Sequence, residues 1–361
     1  MTEAYIVDAV RTPTGKRGGG LAEVHPADLG AHVIREVVER NDLDPMAVDD
    51  VGFGCGDNVG PQAGDIARTA LLAAGLGLLA MATPAVQAAG PQRVTRDGQL
   101  KFSPVFIDGG RKLVFSAHNQ PKRVSIIQLD LATGKQSLHY PIGSDSQFDI
   151  AFSRDRKVEC FARSGGPRQL SLVIRNRVTN KDVVFDPPGA QRSTVRTPRF
   201  TPDGKRIVMP MNAPGGPQIV SRHLQGKDVR NLTASNGING WPDISPDGKT
   251  IVFSSSRNGA LDLWLMDANG DNQRPLIQSA RRDIYPSWSP DGRRIAFTSA
   301  RDGNQEVYIV DRDGSNLRRV TEHPERDSFP VWHPDGRRLL TISERRGRFD
   351  FYLWNVTPTA P

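Results

Sequence analysis

Cysteine is scarce in this chain. Only Cys55 and Cys160 occur in 361 residues. Two distant thiols exclude a disulfide scaffold and a thiolate zinc cage, and leave at most one bridge. Histidine is equally thin: seven residues, no two of them spaced i, i+4 as metal-binding pairs on a helix are, so no metal site is expected. There is no G-x-S-x-G elbow and no P-loop spacing, which removes two common routes to hydrolysis and phosphate transfer. Long apolar runs are also missing. The longest uncharged stretch, Thr69 to Gln92, has an apolar middle, Ala70 to Met81, shorter than the roughly 20 residues that cross a bilayer, so no stable membrane span is expected. What remains is 37% hydrophobic and 24% charged, the balance of a folded globular chain.

Charge is unevenly shared. Residues 1–75 hold 6 Lys/Arg against 12 Asp/Glu, and the rest of the chain carries a large basic excess that brings the total to +7. Such a split is expected when two segments differ in origin. The basic residues are spread out and not interleaved with aromatics, so a nucleic-acid groove is not expected, whereas an acidic protein partner is.

The first segment begins with an expected strand, Ala4 to Val10, then a glycine-rich loop, "GKRGGG". An amphipathic helix follows, with Leu29, Val33, Ile34, Val37 and Val38 on one face and Pro26 and Asp28 in its first turn. A second strand is expected at Val51 to Cys55. The stretches "IVDAVRTPTGKRGGGLAEVHPADLGAHVI" and "DPMAVDDVGFGCGDNVGPQAGDIARTALLAAGL" resemble the amino-terminal end of thiolases, the acetyl-CoA acyltransferases. The resemblance covers residues 1 to about 76. It implies α/β structure and acyl-CoA chemistry, but that chemistry also needs a nucleophilic cysteine just beyond this region, a G-H-P histidine and a C-x-G-G-G cysteine. None of the three occurs in this chain. Cys55 lies upstream of the nucleophile's place and reads as a structural thiol. Acyl transfer is therefore not expected.

Residues 67–88, "ARTALLAAGLGLLAMATPAVQA", fit the thiolase pattern as far as Leu76. Beyond Gly77 they fit an export signal: an apolar middle, Pro84, and small residues at "VQA" suited to a signal peptidase. A plain Ala/Gly-rich linker is the alternative. Residues 77–90 are thus expected to be the remnant of a signal-like segment, and residues 91–361 a separate domain. That domain is expected to be exported to the periplasm as evolved, or cytoplasmic if the intact fusion from Met1 is made.

The second segment is a repeat array. "FIDGGRKLVF", "FSRDRKVECF", "FTPDGKRIVM", "ISPDGKTIVF", "WSPDGRRIAF" and "WHPDGRRLLT" share a tight Asp-Gly turn, with Asp108, Asp155, Asp203, Asp247, Asp291 and Asp335 as the repeated aspartates. The last four aspartates are 44 residues apart. A period in the forties with four short strands per unit predicts a β-propeller. In unit five the strands are expected at Tyr285 to Ser289, Arg294 to Ser299, Glu306 to Asp311 and Leu317 to Thr321. Unit six ends after its third strand, and residues 92–95 of "PQRVTRDG" match the missing fourth. The fold class is therefore mainly β: a closed, monomeric six-bladed propeller of four-stranded blades behind an α/β thiolase-like segment. Trp241, Tyr285 and Phe329, and likewise Trp264, Tyr308 and Tyr352, keep the 44-residue step and are expected to fill the spaces between blades.

The S-P-D-G-type turns, the signal-like leader and six blades resemble the TolB propeller family. That resemblance implies a non-enzymatic binding module that works with envelope partners, with no cofactor. A propeller gating a peptidase would need a hydrolase motif that is absent. Asn239, Asp283 and Asp327 precede the first strand of three units, and Arg257, Arg301 and Arg345 follow the second. Both sets, with His323, fall on one rim of the channel. They are expected either as inter-blade ion pairs or as a polar funnel for a protein or peptide partner. The loops "DANGDN" and "DRDGSN" depart from EF-hand spacing and read as turns.

Overall fold

The computed structural model describes residues 26–41, 91–120, 123–141, 143–166, 169–187, 195–226 and 228–356. The chain divides into two compact units, Met1–Ala88 and Ala89–Pro361. In the first, the described element is the helix Pro26–Arg40, which buries Ala31 and Ile34 and half-buries Val33, Val37 and Val38, the apolar face its spacing predicts. The two expected strands, Cys55 and the signal-like stretch lie outside the described residues. No helix among the described residues is long and apolar enough to cross a membrane.

The second unit is six four-stranded antiparallel sheets, strands a to d in chain order. Strands a are Lys101–Ile107, Gln147–Phe152, Arg199–Phe200, Asn239–Ile244, Asp283–Trp288 and Asp327–Trp332. Each sheet packs face to face on the next, and the last packs on the first. In unit five, strands b and c lie at Arg294–Ser299 and Glu306–Asp311, as the alternation predicts, while strand d shrinks to Arg318–Arg319. Alternate residues of b and c point into the two inter-blade spaces and are dry there. Phe253 and Trp264 of blade 4 pack on Val208 and Ile219 of blade 3, and Tyr308 of blade 5 packs on Leu263 of blade 4. Cys160 is one of these core residues. It is buried and free, and burial pushes its thiol far up from the ordinary value, so it is inert as a nucleophile.

Blade 6 takes its fourth strand from upstream. Gln92–Arg93 pairs with Leu353 and Tyr352, and the Val94 amide donates to the Phe351 carbonyl at 2.7 Å. Asp350, almost fully buried, holds this closure together. It accepts from Arg93 at 2.7 Å, the Thr95 hydroxyl at 2.8 Å and the Gly98 amide at 3.2 Å, and buried Lys101 stands 3.9 Å away.

The a–b turns explain their own sequence. In blade 4 the Ser245 hydroxyl donates to Asp247 at 2.6 Å and accepts from the Thr250 amide at 2.9 Å, while Asp247 accepts from the Lys249 amide at 2.9 Å. Gly248 takes φ 73°, which a side chain resists. Ser153, Thr201 and Ser289 play the same part in blades 2, 3 and 5. Blade 1 differs from its sequence alignment. Phe106 pairs with Leu113 across the turn as Phe200 does with Ile207, which puts Gly109, not Asp108, where Asp203 stands.

The turn carboxyls titrate low. The Ser245 hydroxyl holds Asp247 below its ordinary value. At Asp335 burial pushes upward but is outweighed by the Arg337 amide and Arg338, which bring it to about 2. A depressed folded pKa contributes stability above the unfolded carboxyl value, and that contribution is lost as pH falls through the folded one. Melting temperature is therefore expected to fall between about pH 4 and pH 2. Asp335→Asn should flatten that fall, and an unchanged profile in the variant would disprove the assignment.

Candidate functional site

Strand a of every blade carries the same backbone irregularity. Ser103, Asp149, Thr197, Trp241, Tyr285 and Phe329 all have φ between 47° and 55°. In blades 1, 2, 4, 5 and 6 this residue lies where the a–b register shifts. In blade 3 it lies two residues before strand a. Left-handed φ is an outlier for β-branched and bulky residues and is kept only where the surroundings enforce it. A proline follows in five of the six cases, and the residue before proline is already barred from the right-handed helical region.

Five of these six residues border one cavity. Ser103, Thr197, Trp241, Tyr285 and Phe329, from strand a or its approach in five different blades, can meet only on the ring axis, so this is the central channel. Its volume is about 300 Å³, and it opens on the face that carries Ile238 and Asn239. The wall is chemically divided. Blades 4 to 6 give a continuous aromatic surface: Trp241 meets Tyr285 edge-on at 5.2 Å, and Tyr285 stacks on Phe329 at 3.8 Å. Blades 1 to 3 give polar groups around Asp149. The Ser103 hydroxyl donates to Asp149 at 2.6 Å and the Thr197 amide at 3.0 Å, while the Arg196 guanidinium pairs with it. Burial pushes the Asp149 carboxyl up, but Arg196 outweighs burial and holds it below the ordinary carboxylate range. Arg196 also lies over the Phe148 ring at 4.9 Å. Thr197 keeps a buried hydroxyl oxygen with no partner among the described residues.

The placement of Trp241 and Tyr285 corrects the expectation that they fill inter-blade space, while Phe329 both borders the channel and packs against the core between blades 6 and 1. The bulge turns them toward the axis, whereas Trp264 and Tyr308 do pack between blades. Ser103, Asp149 and Thr197 escaped the sequence reading because side-chain identity changes at this position. For Ser103 and Thr197 the X-Pro step was the available signal; Asp149, followed by Ile150, carries none.

The rim residues form one repeated arrangement inside each blade. Arg301 reaches Asp283 at 3.1 Å, Arg345 reaches Asp327 at 3.0 Å, and Arg257 reaches the Asn239 side-chain oxygen at 3.0 Å. These links join strand a to the end of strand b or the loop after it in the same blade, so the inter-blade expectation is corrected. Asp283 and Asp327 are fully buried, and burial pushes their carboxyls up despite the arginines. Of the six, Asn239 borders the channel cavity. His323 is half-buried in the loop entering blade 6, and its Nδ1 accepts from the Glu325 amide at 3.0 Å. The "DANGDN" loop spends its polar groups on itself, with the Asn269 amide on Asp271 and the Asn272 amide on Asp267.

Comparison with known proteins follows this geometry. Residues 171–284 match the family described as TolB beta propeller domain, and residues 260–359 the tricorn protease N-terminal beta propeller domain. In solved structures the fold is similar to TolB from Acinetobacter baumannii (TM-score 0.57, 19% identity, 82% of this chain and 71% of that one). It is also similar to a putative TolB from Agrobacterium tumefaciens (0.53, 24%, 60% and 76%). The chain carries a TolB-like six-bladed β-propeller. Ahead of the TolB-like ring in sequence, residues 4–92 match the thiolase N-terminal domain. Over 75 residues the chain is 63% identical to a steroid 3-ketoacyl-CoA thiolase of Mycobacterium tuberculosis, covering 21% of this chain and 18% of that protein. Over 77 residues it is 47% identical to a beta-ketoadipyl-CoA thiolase of Acinetobacter baylyi, covering 21% and 19%. The chain thus spans about a fifth of the length of the curated relatives it matches.

Proposed function

We propose that the TolB-like propeller is a non-catalytic binding module that receives a segment of a protein partner through its channel mouth. The observation that carries this reading is the cavity bordered by left-handed residues from five blades, with one aromatic wall. The aromatic surface that the repeated conformation creates is of the kind that dominates binding energy at protein interfaces. The rim set of Asn239 with Arg257, Asp283 with Arg301 and Asp327 with Arg345 braces the mouth, and His323 lies on the same face. The basic excess after residue 75 favours an acidic partner, with association that slows as salt rises.

The test is selection of peptides from a displayed library on the full chain. Enriched peptides are expected to bind Trp241→Ala and Tyr285→Ala at least about tenfold more weakly, the loss typical of interface aromatics. Peptides indifferent to both substitutions would defeat the reading.

The thiolase-like segment invites a second reading, acyl transfer, because its match to thiolases is close. Against it stands the absence from this chain of the G-H-P and C-x-G-G-G stretches. Cysteine-dependent acyl-CoA turnover by the purified protein would restore it. Export of the propeller is part of the proposal and rests on the signal-like residues 67–88. Amino-terminal sequencing of protein from fractionated cells is expected to find a start near Ala89 outside the cytoplasm, and an intact Met1 in the cytosol would refute export.

A further inference from the structure

Two of the six a–b turns break the pattern that the other four share, and both border the same seam. In blades 2 to 5 a Ser or Thr hydroxyl closes the turn onto its own aspartate. In blade 6 His333 stands in place of that hydroxyl. In blade 1 the turn aspartate is replaced by Gly109, and Asp108 one place earlier pairs with Lys112 at 3.0 Å. The ring of His333 leans across the seam onto Phe106, centroid to centroid 4.8 Å. It fits there because Gly110 has no side chain: a Cβ at that position would collide with the imidazole.

Between these two turns and the closing strand lies a cleft of about 650 Å³, larger than the channel cavity. Its charge is unbalanced. Lys112 is matched by Asp108, Arg93 by Asp350 and Arg338 by Asp335. Arg96 and Arg111 also border the cleft, are exposed, and make no ion pair among the described residues; Asp108 lies within electrostatic reach of Arg111, and Asp130, on the same cleft, accepts from the Ala132 and Thr133 amides. The Nε of Arg111 is anchored on the Asp108 carbonyl at 3.1 Å, which leaves its terminal nitrogens for another acceptor. Phe106, Leu340 and Leu353 supply an apolar side to the same cleft.

We propose that this seam cleft binds a small organic phosphate. Two exposed guanidinium groups outside any ion pair, in a cleft lined by five cationic side chains and two carboxylates, match the several oxygens of one phosphate, which accept paired N–H donors from each. The volume is that of a small-molecule site, and the apolar side accommodates the organic part. The cleft is separate from the channel and does not depend on what the channel binds.

The test is calorimetric titration of the full chain at low salt with pyrophosphate, phenyl phosphate and citrate. Wild type is expected to take up both phosphates saturably and citrate more weakly. The double variant Arg96→Ala/Arg111→Ala should bind the phosphates about tenfold or more weakly, because each charge-assisted bond is among the stronger polar contacts. Its melting temperature should stay unchanged, since both side chains are exposed. Trp241→Ala should bind them as wild type does, which separates this site from the channel. Absence of saturable uptake, uptake preserved in the double variant, or citrate bound as tightly as pyrophosphate would each overturn the proposal.

Discussion

Arg301→Ala is expected to destabilise the propeller by about 3–5 kcal/mol at neutral pH, the usual cost of leaving one member of a buried ion pair alone. Asp283 is fully buried, and its carboxyl is already raised by burial even with Arg301 at 3.1 Å. Without the guanidinium it rises further. Between the unfolded carboxyl value, about 3.9, and the raised folded one, the native state then holds a proton that the unfolded chain has released. Stability consequently falls as pH rises across that window. Urea denaturation should show the variant close to wild type near pH 4 and far below it at pH 7.5. Adding Asp283→Asn to Arg301→Ala should restore most of the loss, because no charge is left to bury. Blade 4 already carries this neutral form in Asn239, which Arg257 accepts as its partner. A deficit that is the same at both pH values would mean that Arg301 acts only through its packing over Phe297 and Tyr308.

Asp350→Ala should have an effect of comparable size, about 3–5 kcal/mol, with a different consequence. This carboxylate gathers Arg93, Thr95 and Gly98 onto blade 6 and stands beside Lys101, whose side chain is fully buried. Its removal leaves buried Lys101 with Asp97 and two backbone carbonyls as its partners, and releases the strand that closes the ring. The edge of strand c, Arg348–Asn355, would then lie open to pairing with another chain. Size-exclusion chromatography is expected to show concentration-dependent oligomers together with a lower melting temperature. Asp350→Asn keeps an acceptor for Thr95 and Gly98 and should fall between the two. A variant that remains monomeric and melts as wild type would show that the closing strand is held by its backbone bonds alone.

The ring was legible in the sequence because its signals are backbone demands. The Asp-Gly turns need left-handed glycine, strands b and c need small or apolar side chains on both faces, and both recur every 44 residues in the last blades. The strand contributed by residues 92–93 was readable because "RVT" repeats the outer strands of other units. The channel was less legible. The common property of Ser103, Asp149, Thr197, Trp241, Tyr285 and Phe329 is a dihedral angle, and a comparison of side chains sees three aromatics and three unrelated polar residues. The aromatics alone kept step, and step alone does not say which way a bulged residue points. Of the two readings the rim pairs allowed, ion pairs between blades fail, because the pairs close within single blades. The register of Asp283 opposite Ser299 puts Arg301 two residues past its partner strand, within reach inside one blade, and that register emerges only once the bulge is counted.

The clasp at Gln92–Arg93 also sets an order of events during synthesis. This strand leaves the ribosome before any blade exists, and its partner, the sheet edge at Leu353 and Tyr352, belongs to the last strand of the ring in chain order. More than 250 residues of loop must therefore be made before the first and last strands can meet, the kind of distant pairing that slows folding. The nascent ring thus stays an unclosed arc with exposed borders until its last strand is made, the stage at which a chaperone has most to protect.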